Sequence, residues 1–319
     1  MTSFDVFNGD ADGICSLVQL RLAEPRQSTL VTGIKRDINL LRQVDAQQGD
    51  EITVLDISMQ KNQDDLQRLL KAGASVFYAD HHNPGEKIEH PKLFSYIDMS
   101  PSACTALIVD NYLHGQYHLW AITAAYGDNL TKVAEELALK QGLDKAESSQ
   151  LQELGIYLNY NGYGAGIEDL FYHPADLYQE CVQFGSPFDF IQQNETVFET
   201  LQNGYAQDVS SARSEKPFHE TSSVAALMLP NQTWARRVSG VFSNQLSNEH
   251  PDRAHLILTQ KADGNFLVSI RAPLSQLEGA DEIASRFKTG GGRKGAAGIN
   301  VLPETDIPAL IDLMEHRYG

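Results

Sequence analysis

Residues 4–22 read Phe-Asp-Val-Phe-Asn-Gly-Asp-Ala-Asp-Gly-Ile-Cys-Ser-Leu-Val-Gln-Leu-Arg-Leu. The apolar run 4–7 has the length of a short buried strand, the acidic glycine turn 8–13 breaks it, and the pattern from 14 to 22 is helical. Strand, turn, helix is the opening of an α/β fold, and it places Asp10 and Asp12 at a ligand-presenting edge. The same alternation continues with a strand at 28–32, a helical segment over 37–46, a strand at 51–57, a helix at 63–72 and a strand at 75–80. Strands that alternate with helices over this length predict a doubly wound, mainly parallel sheet.

Three of these strands finish in an aspartate: Asp10, Asp56 and Asp80. Open parallel sheets build their sites just beyond the carboxyl ends of the strands, so the three acids are expected to converge. Asp80 opens the tripeptide Asp80-His81-His82, and Asn83-Pro84-Gly85 then turns the chain away, leaving two imidazoles at the sheet edge. Taken alone, the tripeptide reads as a capped turn with two solvated histidines. Its neighbours argue otherwise. A strand at 93–98 and a helix at 102–113 follow, and the small-residue run 119–129 reads as a buried helix that delivers Asp128 to the same edge.

Residues 131–159 are helical in pattern with a polar break near 142–144. Residues 159–164 form a glycine and aromatic loop, readable as a base-stacking surface or as a plain connector. Residues 187–202 look helical, and the polar stretch 203–218 suits a linker. Strands are expected at 237–242, 254–258 and 266–271, then a helix at 280–288 and a glycine-rich loop at 290–298. The expected division is a catalytic, metal-binding domain over 1–200, a linker over 201–219 and a smaller α/β domain over 220–319.

The chain of 319 residues is long enough for two cores. Its net charge of −17 suits a protein that does not hold long nucleic acid, since that requires neutralising many phosphates with Lys and Arg. An anionic substrate is therefore expected to be small. No apolar run is long enough to cross a membrane, and residues 1–5 have neither a basic region nor an apolar core, so neither a membrane span nor a signal peptide is expected. Cys15, Cys104 and Cys181 are odd in number and widely spaced, which fits reduced core residues of a cytoplasmic protein.

Asp10, Asp12, Asp56, His81 and Asp128 together offer four carboxylates and an imidazole. Such oxygen-rich sets suit Mn2+ or Mg2+ better than closed zinc cages do. Two such ions would share a carboxylate, for which Asp56 is placed, and would activate water at a phosphoryl centre. At 290–298 five glycines surround Arg293 and Lys294, so backbone amides and two cations can approach an anion closely.

Asp-Ala-Asp-Gly at 10–13, the strand-end Asp56, Asp80-His81-His82, Gly127-Asp128 and Gly-Gly-Gly-Arg-Lys-Gly-Ala-Ala-Gly at 290–298 resemble, in order, the motifs of the DHH phosphoesterases that carry a DHHA1 domain. The resemblance implies that Asp10, Asp12, Asp56, His81 and Asp128 ligate two manganese ions and that His82 contacts the scissile phosphate, with Asp80 as the acid that orients it. It also implies that Gly291, Gly292, Arg293, Lys294 and Arg271 bind substrate. The implied activity is hydrolysis of linear dinucleotides or very short oligonucleotides such as pGpG or pApA. Cleavage of a cyclic dinucleotide and a catalytically weak nucleotide-binding regulator are the alternatives. A homodimer is compatible with these features. Two positions depart from the family pattern: its usual metal-binding histidine is Val6, and the usual histidine of the glycine motif is Arg293, a permanent bidentate cation.

Overall fold

Val6 and Phe7 are adjacent in β1 (Ser3–Phe7) and bury into different hydrophobic clusters. Alternation of this kind marks a strand covered on both faces. In the computed structural model, which describes residues 2–319, β1 leads into α1 (Ala11–Ala23) and β2 (Thr29–Val31). β3 (Glu51–Leu55), α2 (Gln63–Lys71), β4 (Ser75–Asp80) and β5 (Leu93–Ile97) follow. The strands form one sheet in the order β2-β1-β3-β4-β5, and every pair in it is parallel. The strand order reverses between β1 and β3, so the sheet's natural crevice lies beyond those two strand ends.

Phe7, Leu55 and Ala79 face a cluster built with α1, α3 (Thr105–Tyr112), α4 (His118–Gly127) and α6 (Lys145–Asn161). Val6, Val54, Val76 and Tyr78 face the other side with Leu66, Leu69 and Leu70 of α2. Between α4 and α6 lies α5 (Thr131–Lys140), and α7 (Pro174–Cys181), α8 (Pro187–Gln193) and α9 (Glu195–Ser214) complete the helical layer. Beside this apolar packing, Asp5 of β1 is buried with Arg21 of α1. Arg21 Nε donates to Asp5 Oδ2 at 2.8 Å and its Nη2 donates to Thr53 Oγ1 at 2.9 Å.

The chain divides into two compact units, Met1–Asn203 and Gly204–Gly319. The second contains β6 (His219–Glu220), β7 (Val224–Leu229), α10 (Thr233–Glu249), β8 (Ala254–Gln260), β9 (Phe266–Arg271), α11 (Ala280–Ala284), β10 (Gly290–Arg293), β11 (Ala296–Leu302) and α12 (Ile307–Tyr318). Its sheet runs β10-β11-β9-β8-β7-β6, with β7 and β8 parallel and the other pairs antiparallel. Both units are α/β, the second being the smaller.

Four local expectations are corrected. Residues 203–214, read as linker, are the second half of α9; a half-exposed helix with a polar face has the composition of a linker. Residues 237–242, read as a strand, lie in α10, where Ala235, Val238, Ser239, Phe242 and Ser243 bury one side at helical spacing. Only Leu41–Gln43 of the expected helix at 37–46 is helical, as a single tight turn. The glycine-rich segment at 290–298 is a β-hairpin rather than a loop. Cys15, Cys104 and Cys181 are buried and unbridged. Among the described residues no helix is long and apolar enough to cross a membrane.

Candidate active site

Asp10 caps α1: its Oδ1 accepts from the backbone N–H groups of Asp12 at 3.0 Å and Gly13 at 3.1 Å. Such a cap fixes the carboxylate while satisfying two otherwise unpaired helix donors. Gly13 is required there, because a Cβ would stand 2.2 Å from the Asn8 carbonyl oxygen. Asp12 points from the same turn to the start of α3, where Thr105 N and Ala106 N each donate to it at 2.7 Å. The positive end of α3 thereby favours the ionised form of Asp12, opposing the effect of its burial.

Asp56 follows β3 with φ of 57°, a left-handed backbone that is costly for a residue other than glycine. That turn presents its carboxylate to Thr105 Oγ1, which donates at 3.2 Å, and to His81 Nε2 at 3.4 Å. His81 Nε2 also stands 3.9 Å from Asp12 Oδ2 and 4.0 Å from Asp128 Oδ2. Asp128 ends α4, and the glycine before it sets its place. A Cβ on Gly127 would lie 2.5 Å from Ala11 Cβ and 2.7 Å from the Gly155 carbonyl oxygen, so α4 passes α1 and α6 at a distance only glycine permits. Asp80 ends β4 fully buried, and its Oδ1 lies 2.7 Å from Nδ1 of the half-exposed His82.

This much carboxylate in a buried space raises its own proton affinity. Burial, then Asp12, Asp10, Asp80 and Asp128, push the Asp56 carboxyl well above the ordinary range. Burial and the nearby Asp12 and Asp10 push Asp128 up to about 6, against the pull of Lys35 and His81. Asp12 is raised by burial and by Asp10, with His81 and the two α3 amides opposing. A bound cation relieves these shifts. The donor set fits a divalent ion: ligand atoms of Asp12, His81 and Asp128 lie within 4.8 Å of one another, as do those of Asp56, His81 and His82. Oxygen donors with one or two imidazoles suit Mn2+ or Mg2+.

Asp10 belongs to neither ligand group. Its Oδ2 instead pairs with Lys35 Nζ at 2.6 Å, and the same ammonium donates to Asn159 Oδ1 at 2.8 Å. Burial works against the charge on Lys35, but Asp10, Tyr163 and Asp128 outweigh it and hold the ammonium protonated. Burial likewise pushes Asp10 up, and Lys35 reverses this, leaving it below the usual carboxylate range. Sequence reading missed Lys35 and Asn159. Lys35 lies in an irregular segment after β2, and the usable signal is topological: β2 neighbours β1, so the loop after β2 must pass Asp10. Val6, where the resembling family carries a metal-binding histidine, faces the apolar cluster beneath the sheet. Residues 159–161 belong to α6 rather than to a loop, and the buried Asn161 serves structure by bonding the backbone at Phe171 and Tyr172.

In the second unit, register pairs Ala296 with both Arg293 and Arg271. Directly opposed residues share a face, so the two arginines flank Ala296 across a span of roughly two strand spacings, about 10 Å. Gly291 and Gly298 form the next row with Ser269, leaving that part of the face low. Arg271 is braced by Asn244 Oδ1 at 2.8 Å and Ser269 Oγ at 3.0 Å. Lys294 sits in the hairpin turn, 3.5 Å from Glu278 Oε1. Gly290 lets α11 pack onto the hairpin, since a Cβ would meet the Ala284 carbonyl oxygen at 1.9 Å. The glycines therefore serve packing as well as access.

Neither a family model nor a curated protein sequence matches this chain. Solved structures do. RecJ from Thermus thermophilus in complex with Mn2+ matches with a TM-score of 0.63 at 15% identity, over 99% of this chain and 52% of RecJ, so this chain spans about half of that protein. A DHH-domain protein described as a member of a family of ribosomal proteins matches with a TM-score of 0.59 at 13% identity, over 99% and 86% of the two chains. PggH, a pGpG-specific phosphodiesterase from Vibrio cholerae, matches with a TM-score of 0.57 at 15% identity, over 99% and 98%. With matches of this breadth and this architecture, the chain has the fold of the DHH-domain proteins.

Proposed function

We propose that this protein is a divalent-metal-dependent phosphodiesterase that hydrolyses linear dinucleotides or very short oligonucleotides, such as pGpG or pApA, to mononucleotides. The observation that carries the reading is the convergence of Asp12, Asp56 and Asp128 within 4.0 Å of His81 Nε2, beside a His82 braced by the buried Asp80. A divalent ion bound there supplies Lewis-acid polarisation and lowers the pKa of water. The chain's own residues do the rest. Hydrolysis breaks one P–O bond, and the departing oxygen needs a proton. The hydrogen bond to Asp80 raises the pKa of His82 despite partial burial, which favours the protonated imidazole as the proton donor. With Nδ1 committed to Asp80, Nε2 is the atom that faces substrate. Arg271, Gly291, Gly292, Arg293 and Lys294 are assigned to binding of substrate phosphate. The net charge of −17 favours a short substrate over a long strand. The likeness in fold to a pGpG-specific phosphodiesterase supports the same size class.

The test is a panel of pGpG, pApA, cyclic di-GMP, cyclic di-AMP and longer oligonucleotides, incubated with purified protein and Mn2+ or Mg2+ and read as mononucleotide release. The dinucleotides should be turned over fastest. Preferential opening of the cyclic compounds would move the assignment to a cyclic-dinucleotide phosphodiesterase. Binding without any turnover would make the protein a nucleotide-binding regulator.

A further inference from the structure

We propose that the ammonium of Lys35 takes the place of one of the two metal ions expected from the sequence, so that each chain binds a single divalent ion at Asp12, Asp56, His81 and Asp128; this rests on the metal-dependent reading above. Asp10, expected from the sequence to be a metal ligand, has both oxygens engaged elsewhere: Oδ1 by two backbone N–H groups and Oδ2 by Lys35 Nζ at 2.6 Å. It stands outside both groups of ligand atoms close enough to share a cation. The histidine that would complete such a second site is replaced by Val6, which is fully buried in an apolar cluster.

Lys35 is not a mobile surface lysine. Its backbone N–H donates to the Gly162 carbonyl at 2.8 Å and its carbonyl accepts from Asn8 Nδ2 at 3.3 Å, so the chain is tied on both sides of the residue. Asn159 then aims the ammonium at 2.8 Å, and Asp128 Oδ1 stands 3.9 Å away. A divalent ion placed against Asp10 would face this fixed positive charge at contact range and would have to displace it. One divalent ion and one ammonium carry three positive charges against the four carboxylates Asp10, Asp12, Asp56 and Asp128. A lysine in this role neutralises Asp10 without demanding coordination geometry, and it cannot be removed by chelation.

Counting Mn2+ on the whole protein tests this, by calorimetric titration of metal-stripped protein and by electron paramagnetic resonance. The wild type should take up one Mn2+ per chain and give the hyperfine-resolved spectrum of an isolated ion. Lys35→Met removes the charge at similar length and should admit a second ion, seen as a stoichiometry of two and a dipole-broadened spectrum; Lys35→Arg should keep one. Asp10→Asn retains a good helix cap and should still bind one ion with affinity changed less than about threefold, which covers the case in which Lys35→Met does not fold. Two ions on the wild type, one ion on a folded Lys35→Met, or loss of the ion in Asp10→Asn would each overturn the proposal. Two ions would leave the phosphodiesterase reading standing, whereas a wild type that binds none would overturn both.

Discussion

His82 Nδ1 lies 2.7 Å from Oδ1 of Asp80, a carboxylate with no exposure to solvent at all. Because this hydrogen bond is the main reason the pKa of His82 is raised, the pair sets the upper edge of the pH range in which His82 can donate a proton. Asp80→Asn should lower kcat by about a hundredfold or more at neutral pH. It should also shift the basic limb of the pH–rate profile to lower pH. A profile unchanged in shape would show that His82 is not the proton donor.

Stability without metal should fall as pH rises through the acid cluster. Asp128 is raised from 3.8 to about 6. A group whose folded pKa is raised stabilises the fold below its unfolded value and loses that contribution as pH climbs through the folded value. For Asp128 the loss is up to about 3 kcal/mol across that window, and Asp56 and Asp12 act in the same direction. The melting temperature of metal-stripped protein should therefore drop between about pH 4 and pH 7, the window that begins at the unfolded value and runs through the folded one. Mn2+ at a hundred times its Kd should restore about 2.7 kcal/mol at the upper end. Asp128→Asn should flatten the pH dependence. Scanning calorimetry with and without Mn2+ reads all three.

Arg21 and Asp5 are a buried pair remote from the chemistry, joined to Thr53 and to Ser28, whose hydroxyl donates to Asp5 Oδ2 at 2.6 Å. Arg21→Leu should cost about 3–5 kcal/mol in denaturant unfolding, because it strands a buried carboxylate. Asp5→Leu combined with Arg21→Leu should recover much of the loss. An Arg21→Leu variant as stable as the wild type would contradict the stabilising role of this buried pair.

Arg293→Ala should raise KM for a dinucleotide by about tenfold or more, the loss of one charge-assisted hydrogen bond, with kcat less affected. Gly292→Ala should do the same for a different reason. Gly292 has φ of 151°, and a Cβ there would stand 2.4 Å from Ala297 Cα, so the hairpin must distort. Metal stoichiometry should be unchanged in both variants. Loss of bound metal in either would contradict the assignment of this unit to substrate phosphate.

The acids of the site were legible because strand-end aspartates in an alternating β/α chain have one destination. Of these, Asp56 reaches the cluster, where it, Asp12 at the start of α1 and Asp128 at the end of α4 all stand within 4.0 Å of His81 Nε2. Lys35 was not legible, since a lone lysine in an irregular segment carries no periodic signal and its role arises from a strand order that sequence does not print. α10 was misread because the β-branched and aromatic residues of 237–242 mimic a strand. Only the spacing of Val238 and Phe242 against Ala235 and Ser239 reveals the helix. The polar half of α9 failed for the opposite reason, as helices with little apolar surface look like connectors.

The Asp-Ala-Asp-Gly turn has a bearing on how activity can be inferred in other chains of this architecture. Asp10 closes a helix, Asp12 closes another through Thr105 and Ala106, and Gly13 makes room for the Asn8 carbonyl. A chain of this architecture without the proposed activity would still need a capping acceptor at position 10, the acceptor at position 12 and the glycine at position 13 to fold. His81 and Asp128 carry no such architectural duty toward a helix start, so under the proposed function their loss, and not the loss of the glycine-bearing turn, would mark a chain that has kept the scaffold without the activity.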